Sequence, residues 1–111
     1  MRIISGTARG RRLHTLPGQQ TRPTADRVKE AIFSTISSYI PHAMVLDAFA
    51  GSAALGLEAL SRGAEQAFFL EKNRAAAQIC ATNITLCGLA GATLLQGDTL
   101  KLLPRLKAQQ P

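Results

Sequence analysis

The sequence predicts an α/β fold built on a short parallel sheet. After residue 43, short apolar runs alternate with helix-length segments, the pattern of strands joined by right-handed helical crossovers. The first run stops at a glycine-containing turn that feeds a helix, and Asp47, Glu71 and Gly97-Asp98 follow in order at workable spacing.

The opening is different in character. Arg2-Ile3-Ile4-Ser5 and Arg11-Arg12-Leu13-His14-Thr15 flank Gly6-Thr7-Ala8-Arg9-Gly10, whose small residues predict a short β-hairpin with arginines on or near its turn. Leu16 to Gln20, with Pro17-Gly18 and two glutamines, reads as a turn and flexible linker. A helix then begins at Pro23-Thr24, with Thr24 as N-cap and Asp26 in the first turn, where the helix dipole favours an acid. Val28, Ile32, Ile36 and Ile40 recur at every fourth position with Ala31 and Tyr39 alongside, so this face is expected to pack on the main body. Arg22, Arg27 and Lys29 fall off that stripe.

In the second part, residues 44–49 read as the first strand and 53–62 as the helix after the glycine loop, closed by Gly63. Residues 67–70 make the second strand. Asn73 caps a helix that runs to Cys87 and ends at Gly88, burying Ala76, Ile79, Cys80, Ile84 and Cys87. Residues 92–95 form the third strand, Asp98 is placed to cap a helix over 99–106, and order is expected to fade over 107–111. Two segments follow: residues 1–42, a basic hairpin and cap helix, and residues 43–111, a partial nucleotide-binding domain.

At 111 residues and 46% hydrophobic, the chain suffices for one small domain with a modest core. No apolar run approaches the roughly 20 residues that cross a bilayer, and the arginine-rich start gives no basis for a signal peptide or anchor, so the cytoplasm is the default compartment. Cys80 and Cys87 would sit about 10 Å apart along one helix, too far for a disulfide, and are expected to be reduced apolar residues. With His14 and His42 remote from both, no metal-ligand pattern is present. The net charge is +6, and the basic excess lies in residues 1–42; such clusters favour phosphate backbones through counterion release, although a merely solvated basic surface has the same composition.

The strand, glycine turn and helix suggest a nucleotide-type cofactor site. An opening helix leaves backbone N–H groups without partners, and they face the ligand. Gly51 permits the turn and Gly56 a close helix–strand approach, while Ala53 stands where a dinucleotide fingerprint has the glycine that admits a pyrophosphate, which argues against NAD. Glu71, ending the second strand, can accept both ribose hydroxyls. Asp47 beside the loop would repel phosphates and attract an ammonium group, which favours S-adenosyl-L-methionine.

Asp47-Ala48-Phe49-Ala50-Gly51-Ser52, Gly56-Leu57-Glu58-Ala59-Leu60-Ser61-Arg62-Gly63-Ala64 and Glu71-Lys72 resemble the RsmD-type 16S ribosomal RNA guanine-N2 methyltransferases. So do the opening Arg2-Ile3-Ile4-Ser5-Gly6 with Arg9-Gly10-Arg11-Arg12-Leu13, and the run from Thr21 to Ala31. The resemblance implies a class I methyltransferase sheet, with Asp47, Phe49, Gly51, Ser52, Ala53, Gly56, Glu71, Lys72 and Asp98 around the cofactor; Asp98 would meet the adenine amine. It implies RNA contacts for Arg2, Arg9, Arg11, Arg12, Arg22, Arg27 and Lys29, and 16S rRNA or a small-subunit assembly intermediate as partner, without metal or membrane. The family usually has glycine where this chain has Ala53, which would narrow the room near the methionine part. It also carries, after a fourth strand, an Asp/Asn-Pro-Pro-aromatic motif whose oxygens receive the target amine's hydrogens. The chain reaches Pro111 without that motif, so it is expected to be an N-terminal portion, inactive alone, and no residue in it is assigned to catalysis. Two other readings stay open: a dinucleotide-dependent oxidoreductase and a non-catalytic RNA-binding module with a vestigial pocket.

Overall fold

The computed structural model describes residues 2–15, 23–48, 50, 52–98 and 100–102. The expected linker, Arg22, Phe49, Gly51 and most of the expected last helix lie outside the described residues. Helix α1 spans Pro23–Thr35 and is followed by a 3-10 turn at Ser37–Tyr39; then come β1 (Met44–Asp47), α2 (Ala54–Ser61), β2 (Gln66–Glu71), α3 (Arg74–Cys87) and β3 (Ala92–Gln96). The strands form one parallel sheet in the order β1-β2-β3, with Asp47 opposite Phe69 and Glu71 opposite Gln96.

Local chemistry fixes the ends of the crossovers. The Asn73 side chain accepts the Ala76 N–H at 2.9 Å to start α3, and Gly88, in the left-handed region at φ 59°, closes it by donating to the Ile84 carbonyl. α2 starts from Ala53, which is also left-handed at φ 71°. For a residue with a Cβ this conformation costs of order 1–2 kcal/mol, which explains a preference for glycine at this position. Because α2 begins so tightly, Gly56 lies against the sheet: a Cβ there would stand 2.3 Å from Cε1 of the fully buried Phe69. Gly56→Ala is therefore expected to lower stability by about 1–3 kcal/mol through overpacking, measured by denaturant unfolding. A change within about 0.5 kcal/mol would contradict the close approach.

Alternation along β2 sends Phe69 to one face and Leu70 to the other. Phe69 joins Leu57, Ala53, Ala67 and Cys80, whereas Leu70 meets Leu102, Phe68 and Leu95. Ile3, Leu13 and Phe33 belong to the Phe69 cluster, so the N-terminal segment completes the core of the sheet.

The expected hairpin is reduced to a single bridge, Arg2 with Arg12, supported by Ile3 N–H to the Arg11 carbonyl and Gly10 N–H to the Ile3 carbonyl, each 2.9 Å. Further bonds of this segment are directed to α2. Thr7 N–H donates to the Ser61 carbonyl, Ala8 N–H donates to Ser61 Oγ, and that hydroxyl donates to the Ser5 carbonyl. Gly6, at φ 90°, is required where the turn meets Ser61, because a Cβ would overlap the Ser61 carbonyl.

α1 corrects the sequence reading. It already includes Pro23, so Thr24 lies within its first turn. It packs through Phe33 and Lys29, while Val28 and Ile32 remain 53% and 46% exposed and Ile36 and Tyr39 are also exposed. The helix is turned in this way because a buried carboxylate on α2, Glu58, draws Lys29 inward, and Arg62 stacks over the Phe33 ring at 4.9 Å. Ile40 alone of the expected stripe is buried in the core, and the exposed Ile32 and Ile36, with Leu46 and Leu55, border an apolar hollow of about 250 Å³ beside β1, whose outer edge has no strand partner among the described residues.

Candidate cofactor and nucleic-acid site

Parallel pairing brings the carboxyl ends of the three strands to one edge, the place where open α/β sheets bind ligands. Asp47 ends β1 and Glu71 ends β2, while Asp98 lies two residues past the end of β3. Asp47 Oδ2 accepts the Gly56 N–H at 3.3 Å, and Glu71 Oε2 accepts the Asn73 N–H at 2.8 Å. Burial pushes the Asp47 carboxyl above its ordinary range, the Gly56 N–H pulls it part of the way back, and the charge of Glu71 pushes it up again. The Cys80 thiol is pushed up to about 12 by burial first, then by Asp47 and Glu71. Both acids thus impose a negative potential on one space behind the strand ends. It suits a ligand carrying an ammonium group and disfavours a polyphosphate.

Ser52 is half-buried and Ala53 fully buried at the start of α2; Lys72 is exposed beside Glu71. Asp98 acts as a cap: Oδ1 accepts the Leu100 N–H at 2.9 Å and its carbonyl receives the N–H groups of Lys101 and Leu102. Among the described residues no helix is long and apolar enough to cross a membrane.

The family model described as Conserved hypothetical protein 95 matches residues 1–111. The chain belongs to this family. Ribosomal RNA small subunit methyltransferase D of Haemophilus influenzae is 41% identical over 111 residues, an alignment covering 98% of this chain and 58% of that protein. Among solved structures, a hypothetical protein of Thermus thermophilus superposes with a TM-score of 0.84 at 35% identity, covering 98% of this chain and 62% of the other. An Escherichia coli protein, yhhF, described as a candidate methyltransferase, gives 0.82 at 38% identity, covering 93% and 55%. The RsmD-type resemblance and the class I methyltransferase fold are thereby established. The chain spans about half the length of the curated relatives it matches.

In this RsmD-type chain Arg2, Arg9, Arg11, Arg12 and Arg27 are exposed. Lys29 is not available as expected. It is 5% exposed, and its ammonium lies 3.2 Å from Glu58 Oε1 and donates to the Arg2 carbonyl at 2.7 Å. A buried cation already neutralised by a carboxylate offers nothing to a phosphate.

Sequence reasoning missed Glu58 and Asn83. Glu58 is fully buried; Oε1 accepts the Ile4 N–H at 2.9 Å, and Oε2 accepts the Ser5 N–H at 3.1 Å and Arg62 Nε at 2.9 Å. Burial alone would raise its carboxyl, but these donors and the Lys29 charge together hold it below the usual glutamate range. The available signal was a single acid in the otherwise apolar run Ala54-Leu55-Gly56-Leu57-Glu58-Ala59-Leu60. Asn83 had a weaker signal, an amide at the helical spacing of the buried Ala76, Cys80 and Cys87.

Proposed function

We propose that this chain is the S-adenosyl-L-methionine-binding part of an enzyme that methylates small-subunit ribosomal RNA, at the exocyclic N2 amine of a guanine in 16S rRNA. The observation that carries the reading is the pair Asp47 and Glu71, two carboxylates that end adjacent parallel strands beside the start of α2. Relatives named as ribosomal RNA small subunit methyltransferases support the substrate class.

In this reading Asp47 and the turn from Gly51 to Ala53 hold the methionine moiety, Glu71 holds the ribose hydroxyls, and Asp98 lies toward the adenine. Bound there, the sulfonium supplies an electrophilic methyl group. A guanine N2 lone pair is delocalised into the ring, so the protein must orient the amine and stabilise developing charge. In the RsmD pattern those duties fall to the Asp/Asn-Pro-Pro-aromatic motif, so the 111 residues alone are expected to bind cofactor without transferring methyl. The exposed arginines of residues 2–12 and Arg27 supply the RNA-facing charge.

Thermal unfolding with S-adenosylhomocysteine and, separately, with NADH tests the cofactor assignment. Saturation about 100-fold above Kd should add about 2.7 kcal/mol with the first ligand and nothing with the second. Protection by NADH alone would overturn the assignment. The pH dependence has a definite sign. An ammonium group binds the ionised Asp47, so affinity should be full above that carboxyl's raised value and fall as pH drops through it. Calorimetric titrations should therefore show weakening that begins above the ordinary aspartate value of 3.8.

A further inference from the structure

The N-terminal segment and the turn before α2 meet at one side chain. Asn83, fully buried on α3, accepts the His14 N–H on Oδ1 at 2.8 Å. Its Nδ2 donates to the His14 carbonyl at 2.9 Å and to the Ser52 carbonyl at 2.7 Å. These partners fix the amide's orientation, since an N–H requires the oxygen and two carbonyls require the nitrogen. The side chain thus pairs with His14 as a neighbouring strand would, while its second hydrogen holds the backbone of the turn from which α2 starts.

We infer that Asn83 is a positioning residue that couples the cofactor turn to the RNA-facing N-terminal segment, so that filling the cofactor site tightens the grip on RNA. The inference rests on the functional reading above, which makes Ser52 part of the cofactor turn and the arginines of residues 2–12 part of the RNA surface. Its physical basis is the shared donor group. Both hydrogens of one rigid amide are committed, one to each segment, so a shift of the Ser52 carbonyl on ligand binding reorients the group that holds His14. Water cannot substitute, because the side chain is fully buried. The contacts on the N-terminal side are all to backbone, so the His14 side chain is not required. The route is short: α3 also packs on β2 and β3, whose ends carry the candidate ribose and adenine contacts.

The test uses the 111-residue chain, S-adenosylhomocysteine and a fluorescent 16S rRNA transcript. Cofactor binding is read by calorimetry and RNA binding by anisotropy with and without the nucleoside. The wild type should bind RNA roughly fivefold or more tightly when the nucleoside is present. N83D is nearly isosteric and keeps the acceptor for the His14 N–H, but sets an oxygen against two carbonyls. It should lose that enhancement to within about twofold, whereas H14A should keep it. Hydrogen exchange on the wild type gives a readout that no variant can spoil by unfolding: the nucleoside should slow exchange of the His14 amide. An enhancement that survives N83D, its absence in the wild type, or an unchanged His14 exchange rate despite nucleoside binding would each overturn the coupling alone. Failure of the wild type to bind the nucleoside at all would overturn the cofactor reading, and the coupling with it.

Discussion

Glu58→Ala should destabilise the chain by about 3–5 kcal/mol, a large share of the stability of a small domain, because it removes one side of a buried ionic cluster. The variant leaves the Lys29 ammonium buried without its carboxylate, and strips the N–H groups of Ile4 and Ser5 of their acceptor. Glutamine is a poor rescue. Each carboxylate oxygen faces donors, Ile4 N–H and Lys29 on one side, Ser5 N–H and Arg62 on the other, so an amide NH₂ must point at a donor whichever way it turns. Lys29→Met should be milder, because Glu58 keeps Arg62 and both backbone donors. Acid unfolding checks the ionic part with a definite sign. The folded carboxyl lies below its ordinary value of 4.5, so the stabilisation is complete above that value and is lost as pH falls through the lowered one. The denaturant midpoint of the wild type should drop more steeply than that of Glu58→Gln in this acid range. Parallel slopes would remove Glu58 from the account of stability.

That cluster also marks the boundary of what the sequence could tell. The alternating sheet was legible because its signals are local: Asn73 and Gly88 bound α3 as expected, and β1, β2 and β3 begin at or within one residue of their expected starts. Glu71 was legible for the same reason, since an acid closing an apolar run reports its own position; Asp47 was legible as an acid beside the glycine loop, although β1 ends at it and not at the expected residue 49. Orientation between elements was not legible. The fourfold repeat of Val28, Ile32 and Ile36 outvotes Lys29 and Phe33 in any count of apolar residues, yet the helix turns Lys29 and Phe33 inward because one buried carboxylate must be neutralised. The hairpin is shortened for a similar reason: beyond the Arg2–Arg12 bridge, Ile4, Ser5 and Ala8 spend their N–H groups on Glu58 and Ser61, partners more than 50 positions away in sequence. Buried polar residues bind distant backbone, and no short-range pattern encodes the identity of the recipient.

Glu71→Ala is the second substitution with a large expected effect, and that effect is on ligand binding. In the proposed site this carboxylate accepts both ribose hydroxyls, and loss of hydrogen bonds to a charged group should weaken S-adenosylhomocysteine binding by roughly 10–100-fold or more. The Asn73 N–H that Glu71 accepts is an exposed bond which water can replace, and Glu71→Gln retains an oxygen for it while discarding the charge. RNA affinity measured without cofactor should stay within about twofold of wild type, since the exposed arginines assigned to RNA lie on the N-terminal segment and α1. Glu71 also adds to the field that raises Asp47, so its removal should move the Asp47 carboxyl down toward its ordinary range. Carboxyl chemical shifts followed through an acid titration give that result without any ligand. A lowered Asp47 with unchanged nucleoside affinity would leave the shared negative field intact and sink Glu71 as the ribose acceptor. Unchanged values of both would sink the electrostatic basis of the site.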